Sequence, residues 1–145
     1  WVVGGLAQLL SLIPEKSPIY KDYKELYMQM ITKIASVQQP DGLWRASLLD
    51  PEEVPVKETS SSTFFAYAMI WGINNGLLCP DIYMPKVCRA WTALLECIDE
   101  NGKLGYVQAI GASPENVQAA DNQEYGSGAF LMVASEMYKF AEREK

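Results

Sequence analysis

The chain has 145 residues, 49% of them hydrophobic and 21% charged, which suits one domain with a real core and is too short for two comfortable ones. Its formal net charge of −6 argues against nucleic acid as the main partner, because phosphate binding is driven by Lys and Arg. Gly, Asn, Gln or Ser breaks every apolar run before the roughly 18 residues of a membrane span, and no basic amphipathic stretch suits a membrane surface.

The chain opens Trp1-Val2-Val3-Gly4-Gly5-Leu6, with no initiator Met, charged leader or cleavage site. The expectation is a piece of a longer polypeptide. Residues 2–13 are apolar almost all round, with small residues interspersed, as in a helix buried on every side. Pro14 and Pro18 then bracket a turn.

Residues 20–38 read as an amphipathic helix. Tyr23, Leu26, Tyr27, Met30, Ile31, Ile34 and Ala35 form one stripe, opposite Lys24, Glu25, Gln29 and Lys33. The turn Pro40-Asp41-Gly42 leads to a short piece, Leu43-Trp44-Arg45-Ala46, expected as a small strand or an irregular loop, and to a long loop over residues 45–57.

Residues 63–78 form a second all-round apolar segment, punctuated by Asn74-Asn75-Gly76 and Pro80. Residues 85–98 are amphipathic again, with Val87, Trp91, Leu94, Leu95 and Ile98 expected inward and Pro85 in the first turn. After Asn101-Gly102 come the short piece Leu104-Gly105-Tyr106-Val107 and a loop over residues 108–123. A third apolar helix is expected over residues 128–141.

Apolar and half-wetted segments therefore alternate along the chain. Two concentric layers of helices joined by up-and-down hairpins satisfy that order, whereas a simple four-helix bundle would make every helix amphipathic. The fold class expected is all-α. One unit also occurs twice: Gln39-Pro40-Asp41-Gly42-Leu43 leads to Glu58-Thr59-Ser60, and Glu100-Asn101-Gly102-Lys103-Leu104 leads to Glu124-Tyr125-Gly126-Ser127. In helical arrays of this kind the loops between units usually carry function, and both loops are long for a compact helical domain.

The candidate chemistry follows from that repeat. Glu58, Thr59, Ser60, Glu124, Tyr125 and Ser127 stand at the starts of apolar helices, whose free N–H groups suit anions or sugar hydroxyls. Capping of their own helices is the competing role for the same residues. Trp1, Trp44 and Tyr106 could stack on the apolar face of a sugar or pack in the core. Arg45 could fork onto a carboxylate or lie solvated in its loop.

Glu58 and Glu124 occupy equivalent positions, so both could face one central cavity. Histidine is absent, which removes Ser-His-Asp and Cys-His systems and most transition-metal sites from these residues. Cys79, Cys88 and Cys97 lack the close pairs of a zinc site and are expected to be buried small hydrophobes.

The order Trp-Val-Val-Gly-Gly-Leu, Gln-x-Asp-Gly-Leu-Trp, Glu-Thr-Ser-x-Ser and Tyr-Gly-Ser-Gly-Ala-Phe-Leu resembles glycoside hydrolase family 105 and its relative family 88, across Trp1 to Phe140. These are the unsaturated rhamnogalacturonyl and unsaturated glucuronyl hydrolases. The resemblance implies an (α/α)6 barrel, of which residues 1–145 would be the C-terminal portion, with the remainder upstream. It also implies hydration of the double bond of an unsaturated uronic-acid oligosaccharide, as in degradation of pectin rhamnogalacturonan, without metal or organic cofactor.

On that resemblance Trp1 ends an Arg-Gly-Asn-Gly-Trp motif lining the substrate cleft. The catalytic Asp and active-site His fall in the upstream part, so no catalytic residue is assigned within these 145. The residues assigned to substrate binding are Trp1, Trp44, Glu58, Thr59, Ser60, Tyr106, Glu124, Tyr125 and Ser127. A non-catalytic helical-repeat module binding glycans or protein, and another (α/α)6 carbohydrate enzyme, are the rival readings. The compartment stays open, with a bacterial cytoplasm or periplasm as the expectation.

Overall fold

The computed structural model describes residues 1–143 and 145. Five helices follow one another: α1 (Val2–Leu12), α2 (Tyr20–Ser36), α3 (Thr59–Asn74), α4 (Pro80–Leu95) and α5 (Glu124–Arg143), with a 3-10 turn at Pro114–Asn116 before α5. No strand forms among the described residues. The two short pieces make isolated antiparallel bridges instead, Trp44 with Glu58 and Ile98 with Leu104.

Helix α3 is the centre of the molecule. Fourteen of its 16 residues are buried, because its sequence offers no polar face to water, and α1, α2, α4 and α5 all pack against it. The half-wetted helices wrap outside, as their stripes require. α2 buries Tyr27, Ile31, Ile34 and Ala35; α4 buries Val87, Ala90, Ala93 and Leu94. Leu95, expected inward, lies exposed.

Close approach is built into the α2–α3 contact. The Tyr27 hydroxyl, fully buried, donates to the Ala68 carbonyl at 2.7 Å, and a side chain at Gly72 would collide with that hydroxyl and with Leu78. Burial, with Tyr83 and Tyr67 nearby, raises the Tyr27 phenol far above its ordinary value. On the opposite side Asn74 donates to the Glu136 carboxylate at 2.7 Å and to its carbonyl at 2.9 Å, and Lys139 pairs with the same carboxylate at 2.5 Å. A buried charge on α5 thus has its partners. The nearby Tyr67 phenol is pushed up to about 12 by burial and by Glu136.

Helix starts differ from the sequence expectation in three places. α3 begins at Thr59, ahead of residue 63, because Glu58 caps it. α4 begins at Pro80 and carries Pro85 inside, so Pro80 takes the first-turn role while Pro85 removes the donor that the Asp81 carbonyl would use. α5 begins at Glu124, ahead of residue 128. Cys97 is buried as expected, but Cys79 and Cys88 are exposed; all three are free.

Helices α1 and α5, both expected to be apolar all round, are not enclosed like α3, and α5 is in fact amphipathic, burying Gly126, Ala129, Val133 and Glu136. Leu12 on α1 is 78% exposed and Leu131 on α5 is 66% exposed, with Val2 and Tyr138 similarly bare. Exposed apolar side chains of this kind favour association. The isolated chain is expected to self-associate at micromolar concentration in size-exclusion chromatography with light scattering, and Leu12→Glu with Leu131→Glu to reduce it. A monodisperse wild-type monomer would contradict this.

Candidate functional site

One open cleft of about 460 Å³ lies where the N-terminal ends of α1, α3 and α5 meet, lined by Trp1, Arg45, Glu58, Ser60, Ser61, Phe65, Gln108 and Tyr125 together with residues 109–111. The helix directions explain the convergence. Trp1 is the residue before α1, Glu58 the one before α3, and Tyr125 the second of α5.

Trp1 forms an aromatic rim. Its indole lies 4.7 Å from the Phe64 ring and 5.1 Å from the Tyr125 ring, tilted at 37° and 40°, yet it remains 66% exposed. A large apolar plane held from behind and open in front suits a sugar face. Tyr125 is held in turn by donation of its hydroxyl to the Gln108 carbonyl.

Glu58 forms the floor and is only 3% exposed. One carboxylate oxygen accepts from the Ser60 N–H at 2.9 Å and the Ser60 hydroxyl at 2.6 Å. The other accepts from the Ser61 N–H at 2.8 Å and the Ser61 hydroxyl at 2.6 Å. These four donors at the positive end of α3, with the Gln108 N–H more distantly at 3.5 Å, satisfy the carboxylate fully. It anchors the cleft and has no oxygen spare for proton transfer.

Arg45 forms one wall. Its Nε donates to the Pro55 carbonyl at 2.8 Å, and its two terminal nitrogens reach the Asp41 carboxylate at 2.7 and 3.4 Å. Burial alone would raise the Asp41 carboxyl, but the bonds from Arg45 and the Leu43 N–H, with the charges of Arg45 and Lys57, hold it below its ordinary value. The turn behind this pair requires glycine. Gly42 has φ +89°, and a Cβ there would stand 2.5 Å from the Arg89 carbonyl oxygen.

Of the residues assigned from sequence, Trp1, Glu58, Ser60 and Tyr125 come together in the cleft. Trp44, Thr59, Tyr106, Glu124 and Ser127 do not line it. Trp44 is fully buried behind it, donating its indole N–H to the Ile34 carbonyl at 2.8 Å and meeting Phe65 edge-on. Thr59, also fully buried, donates its hydroxyl to the Gly105 carbonyl at 2.7 Å and its N–H to the Tyr106 carbonyl at 2.9 Å. Those bonds stitch the start of α3 to the second short piece.

Tyr106 is half-buried at φ +57°, a conformation few non-glycine residues adopt, with the Lys57 ammonium 5.6 Å from its ring. Glu124 is exposed, so the repeat does not bring two carboxylates to one cavity. Ser127 accepts from Asn122 at 3.2 Å. Ser61, Phe65 and Gln108 escaped the assignment. Ser61 carries a helix-start signal equal to that of Ser60, whereas Gln108 has none beyond opening a long loop.

Helices packed around a central buried α3, with an aromatic and hydroxyl-rich cleft at one end, define an all-α fold of layered helical hairpins. The particular family follows from comparison: residues 1–141 match the profile of Glycosyl Hydrolase Family 88, and the chain belongs to that family.

A relative from Formosa agariphila, the unsaturated 3S-rhamnoglycuronyl hydrolase, is 47% identical over 98% of this chain and 38% of its own length. The family 88 glycosyl hydrolase structure from Bacteroides vulgatus superposes with a TM-score of 0.92 at 39% identity, over 97% of this chain and 41% of that one. A structure from Salmonella enterica, described as a possible member of family GH105, shares the fold with a TM-score of 0.84 at 19% identity, over 97% of this chain and 38% of that one. The chain thus spans about 40% of the length of the proteins it matches, and its helices form part of an (α/α)6 barrel.

Two outcomes test the site's construction. Glu58→Ala leaves the Ser60 and Ser61 N–H groups without their acceptor and should lower unfolding stability by about 2–3 kcal/mol; an unchanged denaturation midpoint at matched protein concentration would contradict the anchoring role. Asp41 has a depressed native value, so the stability it contributes is present above its ordinary 3.8 and is lost as pH falls through the native value. Carboxyl-carbon NMR should place the Asp41 midpoint below 3.8, and Arg45→Gln should raise it. A midpoint unmoved by that substitution would contradict the pairing.

Proposed function

We propose that residues 1–145 form the C-terminal portion of a glycoside hydrolase that removes an unsaturated uronic acid from a rhamnose-containing oligosaccharide. The observation carrying this reading is the cleft itself, where Trp1 and Tyr125 offer an aromatic rim over a floor of serine hydroxyls at Ser60 and Ser61. Pockets with a few convergent polar groups and a stacking surface suit sugars. The substrate class is the part shared by the family resemblance and the name of the 47% identical relative, an unsaturated uronic acid joined to rhamnose.

The chemistry implied is protonation of the uronic-acid double bond with addition of water, after which the ring opens and the sugar behind it leaves. These residues supply binding and orientation. The carboxylate in the cleft, Glu58, is saturated by donors from Ser60, Ser61 and Gln108, and its geometry is that of an anchor, not of the acid and base that displacement at an anomeric carbon requires. The acid then belongs to the polypeptide that completes the barrel upstream.

The test is hydration of an unsaturated uronyl-rhamnose disaccharide, followed by loss of the double-bond absorbance. The protein completed upstream should turn it over, and Trp1→Ala should cut kcat/KM by roughly 10- to 100-fold through one lost stacking platform. Residues 1–145 alone should be inactive. Activity of that piece would move the acid into these residues, and no turnover by the completed protein would remove the proposed reaction.

A further inference from the structure

We propose that Arg45 is a specificity residue of the cleft, recognising an acidic oxyanion on the bound sugar, a carboxylate or a sulfate ester. The inference rests on the reading of the cleft as a sugar site and extends it to the charge of the ligand. Arg45 is the one Lys or Arg among the residues lining the cleft, in a chain whose net charge of −6 otherwise opposes anions.

The guanidinium is fixed without being fully occupied. Its side chain is 15% exposed. Three of its five N–H groups are taken, one by the Pro55 carbonyl and two by Asp41, which leaves two without a partner among the described residues. Asp41 offsets part of the charge, and it also locks the plane of the fork. A preorganised guanidinium loses little freedom when a planar or tetrahedral oxyanion docks.

The floor gives the complementary argument. Both Ser60 and Ser61 direct their hydroxyl hydrogens at Glu58, so only oxygen lone pairs remain for a ligand. That surface accepts from sugar hydroxyls and repels oxyanions. An acidic sugar therefore has one favourable orientation, with its hydroxyl edge on the serines and its charged group at the Arg45 wall.

The test uses the protein with its barrel completed and a saturated glucuronosyl-rhamnose disaccharide, which has no double bond to hydrate. Three forms are titrated by calorimetry: the free carboxylate, the neutral methyl ester, and the methyl ester bearing a sulfate on rhamnose. Arg45→Gln should weaken at least one charged form by roughly 10- to 100-fold while leaving the neutral form within about twofold. Arg45→Lys should recover part of the loss.

Loss confined to the free carboxylate assigns the uronic acid as the recognised group, and loss confined to the sulfated ester assigns the sulfate. Because the neutral form reports any loosening of the 45–57 loop, equal weakening of all three forms overturns the proposal, as does no weakening of either charged form or no wild-type binding of a charged form. The charge-selective pattern persisting in a protein that hydrates no unsaturated substrate would instead refute the proposed reaction and leave Arg45 as an oxyanion site.

Discussion

Helix α3 has no side that tolerates water, and the rest of the arrangement answers that constraint. Its run Phe64-Phe65-Ala66-Tyr67-Ala68-Met69-Ile70-Trp71 is buried throughout, so other helices must cover it on every flank. Amphipathic α2 and α4 can do so while keeping a polar face outward. α1 is apolar itself and covers α3 by leaving its far side bare, whereas α5, expected to be apolar all round, carries Glu136, Lys139, Glu142 and Arg143 and is amphipathic, with Leu131 and Tyr138 exposed. A ring of inner helices with a shell of outer ones is the architecture in which each such helix finds neighbours.

The same constraint builds the cleft. A buried helix still has free N–H groups at its start, and a side chain must satisfy them. Glu58 does so and at once orients Ser60 and Ser61. The cap is therefore also the surface of the site, with Trp1 and Tyr125 above it and Arg45 beside it. Its polarity is directional: lone pairs on the floor, unused N–H groups on one wall, an apolar plane at the rim. On the proposed reading, such a surface binds a sugar in one orientation and leaves the bond-breaking atoms to the rest of the barrel.

Much of this was legible in the residues. The alternation of apolar and half-wetted segments gave the number and order of helices, because burial of α3, α2 and α4 follows directly from their side-chain patterns. The start of α3 at Thr59 is not legible in the residues because Ser60, Ser61 and Ser62 are weak helix formers in isolation. In the fold the Ser62 and Thr63 hydroxyls bond back to the Glu58 and Ser60 carbonyls. Pro80 and Pro85, five apart, fit the same first-turn rule, and only the fold shows that Pro80 holds that role. Helix-start reasoning placed Trp1, Glu58, Ser60 and Tyr125 at ends that together line the cleft. It could not separate Trp44 from Arg45, because neighbours in extended backbone face opposite ways and only the packing of Trp44 against Phe65 and Ile34 fixes which one reaches the cleft. The equivalence of Glu58 and Glu124 failed for a similar reason: two matching segments lie in different surroundings.

Amide hydrogen exchange tests the central claim most directly. If α3 is the enclosed rod around which the others assemble, its amides from Phe64 to Ile73 exchange most slowly in the chain, well behind those of α1, α2, α4 and α5. Protection of α3 no greater than that of α2 or α4 would contradict the account, because a helix sharing one face with water cannot be the one that dictates the rest.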